Sequence, residues 1–315
     1  MQSISVLCLA LAALCTVNGE VFNDFNQCNI FFFRNTPVIG LDEVALPVPQ
    51  DDHPETFQTC LSAYGQQSPA FVCQRTGNQY HFASLYDRGR RIPLYSAYEM
   101  DLRKGTEGRQ GYFNVEPQLV HRSLSETQMR EIDTKKQIAN YNKQQSCDEH
   151  IEQYRRTYKL KWSQAVDEDF QNWDRGHLNP AGHHSEKVES LATFTLTNVA
   201  PMSKTLNTQH WNKYEQRLRD NLTAGCSHMY VVTGVVPGQN TMVNRVNIPS
   251  HFWNAYCCTD NNDVPLRAGG AIAENTDYGY VDEKGLSDLQ VQLRDLLHAH
   301  NFDIFQNCST PYFIN

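Results

Sequence analysis

Apolar and polar residues along this chain fall into short blocks of two different periods, and the blocks predict the elements. Residues 70–73 and 79–86 alternate β-branched and aromatic residues with polar ones, and Asp87-Arg88-Gly89-Arg90 supplies a turn before another such run at 92–98. That period of two predicts a β-hairpin with an arginine-rich turn. Residues 193–199 alternate in the same way, and Pro201 is expected to end that strand. The period then changes. Leu206, Trp211, Tyr214 and Leu218 recur at helical spacing while Asn207, Glu215 and Arg219 fall on a neighbouring face, which predicts an amphipathic helix over 206–218 with one wet side. Residues 229–236 and 252–257 read as buried strands, 268–273 as a third weakened by its glycines, and 287–300 as a closing helix capped by Ser287. A further helix is expected over 52–64, ending at Gly65, Ser125-Glu126-Thr127-Gln128 through Asn142 reads as a surface helix or as part of a flexible excursion, and 21–33 passes from acidic to aromatic. Strands before and after a central strand–helix unit predict an α+β fold, a mixed and mainly antiparallel sheet with helices packed on it.

Length and composition predict one domain. The 315 residues show no repeat and no Gly/Ser- or Pro-rich linker, and the acidic segment 42–55 reads as a surface loop. The first nineteen residues carry no charge, and their apolar run at 4–14 is too short to span a bilayer. With the small residues before Gly19 they predict a secretory signal, 1–19, and a mature extracellular domain, 20–315. Eight cysteines then remain: Cys28, Cys60, Cys73, Cys147, Cys226, Cys257, Cys258 and Cys308. An even set in a secreted chain predicts disulfides, and the absence of any Cys-x-x-Cys pair argues against zinc. Asn221-Leu222-Thr223 fits an N-glycosylation acceptor, and Asn307-Cys308-Ser309 fits less well because its cysteine is expected to be bridged. A net charge of −8 argues against a protein that coats nucleic acid through bulk basic charge. Between Arg75 and Arg109, however, seven basic residues face four acidic ones, so that stretch is either a local basic groove or a solvated surface.

The chemistry concentrates between Asp174 and Arg219. His177 can accept a proton from water near neutral pH, Gly176 before it permits a close approach of backbone and ligand, and Arg175 can hold a phosphate or carboxylate. On the helix, Asn207 and Glu215 point within about 80° of each other, and their oxygens suit a hard divalent ion that keeps most of its waters, as Mg²⁺ does. His183 and His184 make the patch rich in histidine, but two adjacent histidines rarely serve one zinc, and a loop after the motif would expose them.

The runs Asp174-Arg175-Gly176-His177-Leu178-Asn179-Pro180, Leu196-Thr197-Asn198-Val199-Ala200-Pro201 and Leu206-Asn207-Thr208-Gln209-His210-Trp211-Asn212-Lys213-Tyr214-Glu215 resemble the DNA/RNA non-specific endonucleases with a ββα-metal (His-Me) finger, nearest the secreted endonuclease domain-containing 1 group. The nuclease pattern covers about 70–275. The resemblance implies that His177 is the general base, that Asn207 is the direct protein ligand of Mg²⁺ or Mn²⁺, that Glu215 orients the metal's water shell and that Asn198 positions base and metal. Arg175 and Arg219 would neutralise phosphate charge, and DNA and RNA would be cut with little sequence preference, leaving a 5′-phosphate and a 3′-hydroxyl. Two departures stand out. Met202 occupies a position where the family commonly has Gln, and a family arginine upstream of the motif corresponds to Arg75, to Arg90 or to neither. With the acidic net charge, Met202 motivates the alternative of a secreted binding or defence protein on a nuclease scaffold.

Overall fold

The structure is a computed structural model that describes residues 17–48, 68–103, 108, 110–144 and 159–308. β1 (Val17–Phe22) pairs with β2 (Ala70–Thr76), which runs through β3 (Gln79–Asp87) into β4 (Ile92–Glu99), so the expected hairpin is part of an antiparallel meander. β5 (Asp174–His177) and β6 (Val199–Met202) form a separate ribbon. β7 (His228–Val236) is followed by a small ribbon, β8 (Thr241–Met242) with β9 (Val246–Asn247), and then by β10 (His251–Thr259), β11 (Pro265–Glu274) and β12 (Asp282–Lys284). The central sheet has eight antiparallel strands in the order β1-β2-β3-β4-β7-β10-β11-β12. The helices are α1 (Pro117–Val120), α2 (Glu131–Gln144), α3 (Lys187–Ala192), α4, and α5 (Leu286–Leu297). Helix α4 winds continuously through Leu206–Trp211, Asn212–Arg217 and Leu218–Leu222, with π-type turns at both ends.

The sheet is covered on both sides, which is why 229–236 and 252–257 read as near-continuous apolar runs, broken only by the mutually bonded Thr233 and Asn254, rather than as alternating ones. On one face Phe25, Phe32 and Phe33 from the aromatic N-terminal segment pack with Trp253 and with Leu289 and Leu293 of α5. On the other, Phe252 and Val235 pack against Leu178, Leu196, Leu206 and Trp211, the underside of the β5–β6–α4 unit. Neighbouring strand residues point to opposite faces, so Phe252 and Trp253 serve different layers. Cys257 and Cys258 obey the same rule. Cys257 bridges to Cys308 in the layer under α5, and Cys258 bridges to Cys226 after α4. A third bridge, Cys28 to Cys73, ties the aromatic segment to β2; Cys60 and Cys147 lie outside the described residues, as does the helix expected at 52–64.

Four expectations need correction. Residues 193–199 are not a strand. Leu196–Asn198 form a 3₁₀ turn, because the hydroxyls of Thr195 and Thr197 both reach inward to the Glu116 carboxylate, and the strand begins only at Val199. Pro201 sits inside that strand, which is tolerated because the ribbon has only two members and the Pro201 carbonyl is taken up by Asn275 Nδ2. Helix α2 starts at Glu131 rather than at Ser125, since Met129 pairs as a bridge with Val115 and holds the chain extended up to that point. Helix α5 is preceded by Gly285, so Ser287 lies within its first turn, and it ends at Leu297 with His298 in a left-handed conformation (φ 53°).

The arginine-rich turn is neither a basic groove nor a solvated surface. Arg88 and Arg91 are buried and donate to backbone carbonyls, Arg88 to Leu119 and Arg91 to Lys161, Trp162 and Arg245. Arg90 pairs with Asp87 and donates to the Val44 carbonyl. These guanidiniums hold distant loops together where a loop has no ladder of its own, which is a use of fixed multiple donors.

Candidate active site

Ribbon β5–β6 and helix α4 assemble the site. The register Gly176↔Ala200 and His177↔Val199 sets His177 at the end of β5. Gly176 is required by close packing, since a Cβ there would sit 2.6 Å from Met202 Cβ and 2.8 Å from its Sδ. Met202 is fully buried and fills the space under the motif. Ahead of α4, a cleft of about 560 Å³ is lined by Arg175, His177, Phe194, Asn207, Glu215 and Arg219 among others. Of the six residues singled out from sequence, five line this cleft, and Asn198 does not.

The His177 ring lies between Phe113 (centroids 5.4 Å apart) and Phe194 (5.1 Å, edge-on). Burial pulls its pKa down to about 4 against the raising effect of its bond to the Arg175 backbone. The ring is therefore neutral at pH 7. Its Nε2 is buried and has no partner among the described residues, so a lone pair is left for a proton from a cleft ligand. Phe113 was not found by sequence reasoning; it lies sixty-four residues upstream of His177 in a loop with no periodic signal.

Asn198 is a brace. It is fully buried, its Oδ1 accepts from Ser96 Oγ (2.9 Å) and the Asn179 N–H (3.0 Å), and its Nδ2 donates to the carbonyls of Asn179 (2.9 Å) and Thr193 (3.0 Å). With two bonds accepted and two donated, the amide has no spare capacity for a ligand. It fixes the turn that follows His177 instead. Asn207 is held by Asp174, whose Oδ2 accepts from Asn207 Nδ2 at 3.0 Å, a contact that sequence reasoning left unassigned although Asp174 opens the motif. The π-type winding at Leu206–Trp211 takes more residues per turn than an α-helix and swings Asn207 toward the face of Glu215. Burial pushes the Glu215 carboxyl up to about 8, opposed by the Trp211 side chain beside it.

The arginines are already engaged. Arg175 lies over Phe113 (5.5 Å) and Phe170 (5.0 Å) and bonds the Asp167 carboxylate at 2.5 Å. Arg219 pairs with Asp220 and donates to the Gly182 carbonyl. Arg75 binds Glu20 and Glu126, and neither it nor Arg90 lines the cleft.

His183 and His184 are not surface residues, being 3% and 5% exposed. Tyr98 Oη meets His183 Nδ1 at 2.8 Å and His183 Nε2 meets the Glu215 carbonyl at 3.0 Å, which ties α4 to the central sheet. His184 Nε2 meets Asn179 Oδ1 at 2.8 Å. Burial lowers the His183 pKa to about 3, whereas an unfolded histidine titrates near 6.5. A depressed pKa gives stability that is present above the unfolded value and lost as pH falls toward the folded one. We expect unfolding free energy to drop by up to about 1.4 kcal/mol per pH unit below pH 6.5 from this ring; urea denaturation at about pH 7 and about pH 5 checks it, and equal stabilities would contradict it.

Among the described residues no three His, Cys, Asp or Glu side chains converge on one point. The oxygen donors Asn207 and Glu215 suit a hard divalent ion that retains its waters rather than a zinc cage.

The chain matches the DNA/RNA non-specific endonuclease family over residues 62–311. It is 28% identical over 298 residues to the endonuclease domain-containing 1 protein of Homo sapiens and 27% identical over 293 residues to that of Mus musculus, matching 92% and 90% of this chain but 49% and 48% of theirs. It thus spans about half the length of these relatives. The mitochondrial nuclease EXOG of Xenopus laevis is 29% identical over 153 residues, 43% of this chain and 42% of that protein. A solved EndoG/EndoGI complex aligns with 70% of this chain and 82% of its own at a TM-score of 0.44 and 16% identity. With a match to most of its length, the chain belongs to the DNA/RNA non-specific endonuclease family.

Proposed function

We propose that the protein is a secreted, divalent-metal-dependent endonuclease that hydrolyses phosphodiesters of DNA and RNA with little sequence preference. The observation that carries the reading is the buried, unpartnered Nε2 of His177, a residue that lines one cleft together with Asn207 and Glu215.

In this reading His177 Nε2 takes a proton from the attacking water, and the bond from the ring to the Arg175 backbone steadies the resulting imidazolium. Asn207, its Nδ2 committed to Asp174, keeps Oδ1 as the atom that would hold a divalent cation, and Glu215 would be the carboxyl that orients the waters around it. A bound Mg²⁺ or Mn²⁺ would supply charge stabilisation at the phosphate and the departing oxygen. Arg175 and Arg219 stand at the cleft to balance backbone phosphate, which carries no base identity, and that is why little sequence preference is expected. Secretion is supported by the three disulfides among the described residues, which persist in oxidising compartments, and by the exposed Asn221 of the glycosylation acceptor. No helix among the described residues is long and apolar enough to cross a membrane. Cleavage after Gly19 would leave Glu20, Val21 and Phe22 of β1 paired with β2.

The test is incubation of the disulfide-bonded protein with plasmid and single-stranded RNA, with Mg²⁺ and with EDTA. Loss of both substrates only with metal is the expected result. Undetectable cleavage accompanied by tight, metal-independent binding of a partner would instead favour a binding protein on the nuclease scaffold.

A further inference from the structure

The connection from β11 to β12 carries a feature that the nuclease reading does not use. Ile272↔Asp282 is the last pair of the two strands, β11 runs on to Glu274 against β10, and residues 275–281 connect it to β12. The base of this connection is fixed. Asn275 is buried, accepts from the Ser203 N–H and donates to the carbonyls of Pro201 and Pro249. Its tip is open: Tyr278 is 95% exposed, more than any other large apolar side chain among the described residues, and Tyr280 is 72% exposed. Leaving two tyrosine rings in water forgoes the burial that such a side chain normally supplies, so their presence at the tip calls for a use of the ring or of its oxygen.

The surrounding sequence indicates the oxygen. Asp277 directly precedes Tyr278, Glu274 lies four positions before it, and Asp282 and Glu283 lie four and five after. No Lys or Arg occurs between Arg267 and Lys284, and Gly279 separates the two tyrosines. An exposed tyrosine beside a carboxylate, on a turn with acid on both flanks and no bulky neighbour, is what an enzyme with a strongly basic groove for an anionic donor can seat, because its field attracts the acidic flanks. We propose that Tyr278, with Tyr280 as a secondary position, is a site of tyrosine O-sulfation. The phenolic Oη attacks the sulfur of an activated-sulfate donor, 3′-phosphoadenylyl sulfate. The bond from sulfur to the bridging phosphate oxygen breaks, the phenolic proton passes to a base of the transferring enzyme, and adenosine 3′,5′-bisphosphate leaves. Nothing is oxidised or reduced. Each event converts a neutral phenol into a fixed monoanion on a tip that is already acidic.

In the cell the inference rests on passage through the secretory route, so the test has two arms. In the first, the purified, disulfide-bonded full chain is incubated with tyrosylprotein sulfotransferase and 3′-phosphoadenylyl sulfate. The expected result is a mass gain of one or two SO₃ groups confined to the peptide spanning 268–284, resistant to phosphatase, reduced in Tyr278→Phe and absent in the Tyr278→Phe/Tyr280→Phe double variant. No gain, or an equal gain in the double variant, overturns the site. In the second arm, cells expressing the full chain are fed labelled sulfate. Label in that peptide of the secreted protein supports the proposal, and secreted protein that stays unlabelled overturns it. Protein that accepts sulfate when purified but never leaves the cell overturns the secretory reading while the acceptor site stands.

Discussion

Replacing His177 with alanine is expected to reduce the rate of plasmid and RNA cleavage by about 10²- to 10⁴-fold, the range a positioned general base contributes. The ring is neutral, its Nε2 is unbonded, and Phe113 and Phe194 flank it, so a base at this position would need no prior rearrangement, and His183, the other histidine lining the cleft, has both ring nitrogens bonded. The loss should fall on kcat, since the ring makes its interaction with a proton in flight rather than with bound phosphate. Removing a ring wedged between two phenylalanines also costs packing. His177→Gln, which retains some of the volume, therefore serves as a second variant, with melting temperature measured for both. Full metal-dependent activity in either variant would mean that another group is the base.

Asn207→Ala should be nearly as damaging, and in a different way. If Oδ1 of Asn207 is the protein's direct hold on the cation, its loss weakens metal binding by about 100-fold or more, the upper end of what loss of a metal's outer partners costs. The signature is a rightward shift in the Mg²⁺ concentration needed for half-maximal cleavage, with a parallel loss of Mn²⁺ affinity by calorimetry, a readout that does not depend on turnover. Asn207→Asp is not a conservative control. It would bring a second carboxylate to the position now 3.0 Å from Asp174 Oδ2, and two such groups cannot both ionise without mutual cost. Asp174→Ala should give a milder version of the same shift, because it frees the amide to rotate without removing it. Unchanged Mg²⁺ dependence in Asn207→Ala would place the cation elsewhere.

The contrast between Asn207 and Asn198 marks how far residue type alone carries. Both are asparagines in the matching runs, Asn207 expected to hold the metal and Asn198 to position base and metal. One lines the cleft, whereas the other spends its whole amide on Ser96, Asn179 and Thr193. The same holds for the histidines. His177, His183 and His184 are close together in sequence, but only His177 keeps a nitrogen without a protein partner, and the other two brace α4 and the turn at Asn179.

The sequence by itself determined the local layer of this protein: the long strands, the amphipathic helix that carries Asn207 and Glu215, and the motif that places His177 before a helix. Side-chain period depends only on the backbone of each segment, and a long enough segment repeats its period several times. The tertiary structure decided where that local signal was overruled or silent. Thr195 and Thr197 alternate as a strand would, but the buried Glu116 claims both hydroxyls and turns the chain into a 3₁₀ bend. Adjacent Cys257 and Cys258 could not be assigned partners until the sheet had two covered faces for them to enter. Arg88 and Arg91 looked like a charged turn until the loops whose carbonyls they satisfy came within reach. In each case the deciding partner lies far along the chain, and a one-dimensional pattern holds no information about which distant groups share a dry interior and must satisfy one another there.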